Sequence, residues 1–136
     1  MLTITPANVN FKLIDGNAIY KGSDWYVEIS IVNRENNVDT PINLAGFSGV
    51  CQIKRTTSDS EEPIISPKID IIDPEGGTFS ISLQENETAL IPTTGSSYNQ
   101  VDRYQYEVRL NDGQNTVYRA LQGYVEVSPT AVKDEK

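Results

Sequence analysis

The sequence predicts an all-β fold, a single immunoglobulin-like antiparallel β-sandwich with one short helical segment, and three observations carry that prediction. Several segments alternate apolar and polar residues with period two and are rich in β-branched and aromatic side chains. Turn-forming residues separate them at intervals of about 8–12 residues, which makes roughly seven strands. At 136 residues, the chain is one domain by length, large enough to bury roughly two-thirds of its unfolded surface in one core. A small β-barrel is the alternative. The expected boundaries are an N-terminal extension over 1–9, the sandwich over 10–130 and a flexible C-terminal tail over 131–136.

In chain order, "NFKLID" sets Phe11 and Leu13 on one face before a turn at Asp15, Gly16 and Asn17. "DWYVEISIVNR" reads as a half-buried strand, with Trp25, Val27, Ile29 and Ile31 inward and Tyr26, Glu28, Ser30 and Val32 outward. "ENNVDTP" reads as a polar loop, and "INLAGF" leads into "SGVCQIKR", where Cys51 and Ile53 oppose Val50, Gln52 and Lys54. "TTSDSEEP" reads as an exposed acidic loop before a short strand in "KIDII". "DPEGG" forces a turn, and "TFSISL" alternates again through Phe79, Ile81 and Leu83. Ser82 and Glu85 stand at capping-box spacing before Ala89, Leu90 and the stop at Pro92, which predicts a short helix. "TTGSSYNQ" connects to a long final hairpin.

Composition removes several functions. Hydrophobic residues are 38% and charged residues 22%, which is neither a disordered nor a membrane composition. No apolar run approaches the ~20 residues of a membrane helix. The N-terminus lacks the basic and long apolar regions of a secretory signal, so the chain is expected to stay in the cytosol unless it leaves inside a particle. Eleven Lys and Arg stand against 19 Asp and Glu, a net charge of −8. The basic residues are scattered along the sequence, which predicts no nucleic-acid partner. Cys51 is the single cysteine, so an internal disulfide and a cysteine metal cluster are impossible, and it reads as a small buried residue. The chain has no histidine, which removes Ser-His-Asp and Cys-His catalysis and the common zinc sites. The chain is read as non-enzymatic, with no catalytic residue, cofactor or metal.

Candidate sites are weighed against plain structural explanations. Asn33, Glu35, Asn37 and Asp39 alternate like a calcium loop, but the sixth position lacks glycine and the twelfth is Leu44. Asp73 and Glu75 flank a tight turn whose own chemistry explains them, and the Asn86-Glu87-Thr88 sequon reads as part of the helical turn. Trp25 reads as core, whereas Tyr26, Tyr98, Tyr118 and Tyr124 are candidates for exposure. The sharpest anomaly is in the last strand, where Val117, Arg119, Leu121, Gly123, Val125 and Val127 share one parity. An arginine stands in a row of core residues. A six-residue loop over 111–116 pairs Leu110 with Val117, Val108 with Arg119, Tyr106 with Leu121 and Tyr104 with Gly123. The other face then pairs Arg109 with Tyr118 and Arg103 with Tyr124 as cation–π neighbours.

The ordered set "GSDWYVEISIVN", "VDTPINLAGFSGVCQIKR", "EGGTFSISLQENETALI", "YQYEVRL" and "GQNTVYRALQGYVEVSP" resembles bacteriophage and prophage tail-associated proteins. The likeness is to the N-terminal domain of phage baseplate upper proteins, and it covers roughly residues 10–130. Leu44, Gly46 and Phe47 match that family's turn, and Thr88 and Ala89 match its helical segment. Tyr106, Glu107, Arg119, Gly123, Val127 and Pro129 match its closing hairpin. The resemblance implies a virion structural subunit of tail, baseplate or neck, assembled in the bacterial host cytoplasm. Its implied partners are other virion proteins and copies of itself in a symmetric assembly, with no nucleic acid and no membrane. The baseplate proteins continue into long regions that hold receptor binders, whereas this sequence stops after "SPTAVKDEK". The expectation is therefore an adaptor, fibre-attachment or decoration subunit. A capsid decoration protein and a glycan-binding module are the alternatives. The expected interface or fold-specifying residues are Tyr106, Glu107, Arg119, Tyr118, Tyr124 and Arg109.

Overall fold

The computed structural model describes residues 4, 6–57 and 61–130. The expected tail over 131–136 and positions 58–60 of the acidic loop lie outside the described residues. Five strands make the first half: β1 (Ala7–Asn8), β2 (Ile19–Tyr20), β3 (Trp25–Ser30), β4 (Val32–Glu35) and β5 (Val38–Pro41). Five more follow: β6 (Ser48–Lys54), β7 (Lys68–Asp73), β8 (Thr78–Leu83), β9 (Asp102–Asn111) and β10 (Val117–Ser128). A helical turn, α1 (Glu85–Thr88), joins β8 to β9.

The fold is an all-β sandwich. One sheet is ordered β6-β9-β10, with β1 and β2 following one another along the outer side of β10, and the facing sheet is β3-β8-β7. These are the two strand sets of an immunoglobulin-like sandwich, in that connectivity. Both sheets are open, so the barrel alternative is set aside. β1 and β2 run parallel to β10, and the other strand pairs are antiparallel. Ala7 pairs with Leu121 and Asn8 with Gln122, which draws the end of the expected N-terminal extension into the sandwich.

Alternation explains the core. Trp25, Cys51, Ile53, Phe79, Ile81 and Leu83 are buried from one side or the other, as their parity predicts. Val108, Leu110, Leu121, Val125 and Val127 complete the interior from the final hairpin. Each such aliphatic or aromatic side chain contributes about 1.5–3 kcal/mol through loss of water contact. Phe11 sets its edge on Trp25, with ring centres 5.4 Å apart and planes at 83°. Near the start of β9, the buried Tyr104 donates its hydroxyl hydrogen to the Pro92 carbonyl, 12 residues upstream.

Local departures from the sequence reading have local causes. The stretch around Phe11 is not a strand. Phe11 makes a single bridge to Val125, and Leu13–Asp15 coil into a 3₁₀ turn that ends at Gly16 with φ 77°. The strand starting at Trp25 stops at Ser30: the Ile31 N–H still reaches the Gly77 carbonyl, but the Ile31 carbonyl accepts from Ile42 N–H and Gly77 N–H turns to the Pro74 carbonyl. The expected polar loop is instead the β4–β5 hairpin, turned by Asn36 and Asn37 at φ 52° and 64°. Two consecutive left-handed residues make a two-residue hairpin turn, and asparagine tolerates that conformation. The helical cap is also displaced. Ser82 stays in β8 opposite Tyr26 and Lys68, and the capping box is formed by Gln84 and Glu87, with Gln84 N–H donating to the Glu87 carboxylate at 2.9 Å. Thr88 is buried behind it, donating to the Ser23 carbonyl at 2.9 Å and accepting from Gly22 N–H at 3.0 Å.

Candidate functional site

The register of the last hairpin resolves the position of Arg119. Val117 pairs with Asn111, Tyr118 with Leu110 and Arg119 with Arg109, after which Leu121 pairs with Val108. Every pair differs from the expected one, for two reasons. The loop holds five residues rather than six, closed by Asp112, whose carboxylate accepts from Gln114 N–H at 2.7 Å and Thr116 N–H at 3.2 Å. A β-bulge between Arg119 and Leu121 then inserts Ala120 as an extra residue. Ala120 and Leu121 are consequently both buried, and Arg119 lies on the face opposite Leu121. No arginine stands in the core row.

On the outer face Arg119 meets its partner. Arg119 Nε lies 3.1 Å from Glu107 Oε1, and Arg109 Nε bonds the other oxygen of the same carboxylate. Arg119 Nη1 donates to Gln122 Oε1 at 3.4 Å, and Gln122 Nε2 donates to Asn8 Oδ1 at 3.0 Å. One polar chain thus crosses β1, β10 and β9. The two guanidiniums are 49% and 59% exposed, and ion pairs this open contribute about 0–1 kcal/mol to stability. The network orients side chains on the face and does little for the fold. Each guanidinium keeps N–H groups directed away from Glu107, which suits it to a carboxylate or carbonyl from outside.

A second pairing lies further along the same face. The buried Glu126 takes Arg103 Nε at 3.1 Å on one oxygen and Leu13 N–H at 2.9 Å on the other. The Leu13 N–H, with Arg103 beside it, holds the Glu126 carboxyl below its ordinary pKa against the opposing effect of desolvation. Arg103 also covers the Tyr124 ring at 4.6 Å, so the expected cation–π neighbours do meet, along a diagonal rather than across the ladder. Arg109 and Tyr118 do not meet. Tyr118 pairs with the inward Leu110 and stacks on Phe47 at 6.3 Å.

Tyr106 belongs to the interior. Its hydroxyl donates to the Val9 carbonyl at 2.6 Å, and burial pushes its pKa far up. Burial likewise raises the Cys51 thiol to about 12. Gly123 lies across the ladder from Tyr106 at φ 153°, and a Cβ there would stand 2.3 Å from the Val9 carbonyl oxygen. Glycine is what lets the N-terminal segment approach β10.

Glu107, Arg109 and Arg119 line a shallow concavity of about 770 Å³, together with Gln52, Lys54 and Gln122. The last three had no signal in the sequence, because only the ladder places Gln52 and Gln122 on either side of Glu107. The same ladder corrects the reading that basic residues are scattered. Lys54, Arg103, Arg109 and Arg119, drawn from three strands, share one sheet face. Among the described residues, no group of three or more Asp, Glu, Cys or His is placed to hold a metal ion. No helix among them is long and apolar enough to cross a membrane. No family model matches the chain, and no curated protein matches it.

Proposed function

We propose that the chain is a non-enzymatic structural subunit of a bacteriophage particle, in the tail, baseplate or neck, that works by assembling with other proteins. The observation that carries this reading is the β4–β5 hairpin, in which all eight strand residues are exposed. An isolated two-stranded hairpin is marginally stable in water, and one that buries no side chain of its own serves best as an arm laid on a neighbour. The resemblance to phage baseplate upper proteins supplies the class of particle, and several of the matching positions have fold-specifying work here. Leu44 is fully buried, Gly46 turns at φ 82°, and Phe47 carries Tyr118.

Gold-labelled antibody against the chain, imaged on purified phage particles by electron microscopy, tests the reading. Label at the tail, baseplate or neck is the expected outcome. Label across the head lattice would assign a decoration protein instead. A chain that labels no particle yet is retained on immobilised glycans would overturn the reading in favour of a glycan-binding module. The amides of Asn8, Gln52, Gln105 and Gln122 around the concavity favour that second reading. The tyrosines do not form one platform: Tyr26 lies on the opposite sheet, Tyr118 packs on Phe47, and Tyr124 lies under Arg103.

A further inference from the structure

We infer that copies of this chain associate head to tail, the basic outer face of β6-β9-β10 seating on the acidic outer face of β3-β8-β7 of the next copy. The inference rests on the assembly reading above and adds the two surfaces and their polarity. The outer face of β6-β9-β10 differs in sign from the rest of the chain. The chain carries −8. The outer face of β6-β9-β10 has four cations, Lys54, Arg103, Arg109 and Arg119, against the carboxylates Glu107 and Glu126. Those strand positions therefore sum to +2, and the rest of the chain, −8 less +2, is −10. A surface of one sign on a chain so strongly of the other sign is complementary to another copy of that chain.

The opposite sheet supplies the acidic counterpart. Glu28 and Asp70 flank Ser80 across three adjacent strands, both exposed on the outer face. Lys68 bridges to Asp70 at 3.5 Å and leaves Glu28 to Tyr26, whose hydroxyl donates to it at 2.9 Å. Tyr26 is 57% exposed and Val50, beside Arg109 on the basic face, is 58% exposed. Each face thus pairs charge with an exposed large side chain, the composition of a protein contact. Because the faces lie on opposite sides of one sandwich, the contact is heterologous, and repeating it generates a ring or a filament.

Sedimentation of the purified chain over a range of concentrations, at low and high salt, tests the contact. Association at low salt that dissolves at high salt is expected, because exposed charges are screened. The Arg109→Glu/Arg119→Glu variant makes both faces acidic, and the Glu28→Lys/Asp70→Lys variant makes both basic. All four positions are exposed, and circular dichroism checks each fold. Each variant alone is expected to remain monomeric, and an equimolar mixture to associate again, since both junctions are then complementary. A monomeric unmodified chain at low salt, or a mixture that fails to associate, would overturn the inference. So would retention of single-stranded DNA or an acidic glycan by a monomeric chain, lost on reversing the arginines, which would assign the face to that polyanion. A monomer that still labels phage particles overturns the self-contact and leaves the subunit reading standing. Salt-sensitive association without particle labelling does the reverse.

Discussion

Two hairpins of this chain, β9–β10 and β4–β5, are built from similar local chemistry and used in opposite ways. β9–β10 is turned by an Asp112-closed loop and buries alternate residues against the facing sheet. β4–β5 is turned by Asn36 and Asn37 and buries none. It is held by its own ladder and by the Arg34–Asp39 bridge at 2.6 Å. Turn chemistry decides that a hairpin forms. Whether it belongs to the core or to the surface depends on what its two faces meet.

The sharpest way to break that contrast is to truncate one side chain on each hairpin. Leu121→Ala, at a fully buried position, is expected to lower stability by about 2–5 kcal/mol in urea denaturation. Val38→Ala, 61% exposed on the arm, is expected to change it by less than about 0.5 kcal/mol. Comparable losses at both sites would show that the arm is part of the folded core.

Gly123→Ala comes next. It places a side chain at φ 153° against the Val9 carbonyl, and backbone strain of this kind costs about 1–3 kcal/mol. The same denaturation series reads it, and amide exchange is expected to rise at Val9 and Phe11, whose N–H groups bond to Gln122 and Tyr124 carbonyls.

Acid acts through Glu126. Its folded-state pKa is depressed, so its contribution is present above the unfolded value of about 4.3. That contribution is lost as pH falls through the lower folded value. In urea midpoints measured from pH 7 downward, Glu126→Gln is expected to reduce stability at neutral pH. The same variant should lose less on acidification than the parent chain. Parallel curves would mean that the Leu13 and Arg103 contacts do not discriminate between the charged and neutral carboxyl.

A small effect is also expected at the residue that looked most anomalous. Arg119→Met should shift stability by no more than about 1 kcal/mol, since the pair with Glu107 is exposed. Its effect should appear instead as weakened low-salt association in sedimentation. A collapse of the fold would mean that the outer network holds β9 to β10.

Period-two patterning made most of the core legible, from Trp25 through Ile81 to Val127, because a residue's face follows from parity while a strand is regular. It failed where regularity failed. Nothing in "VYRALQG" marks Ala120 as an extra residue, so counting carried Arg119 onto the wrong face. The Asn36-Asn37 turn carried a signal that was readable in principle, since asparagine is among the residues that accept φ above zero. That Lys54 and Arg119 join Arg103 and Arg109 on one face was not readable, because it is a property of which strands pair and in what register. Glu126 was equally silent, because its value comes from Leu13, 113 residues away in the chain.

The bulge at Ala120 divides β10 into two stretches that no longer share a phase. From Leu121 onward, which residues are apolar is dictated by the interior and by the N-terminal segment alongside. Before it, Val117, Tyr118 and Arg119 answer to the outer face, the Phe47 ring and the loop. Substitutions at the hairpin tip can therefore change what the surface presents without disturbing the packed half. Removing Ala120 would bring them back into phase and leave both on their present faces, with Arg119 opposite Arg109 and Leu121 opposite Val108 in an unbroken ladder. What that deletion would remove is one small buried side chain and the local kink, not the face of either stretch.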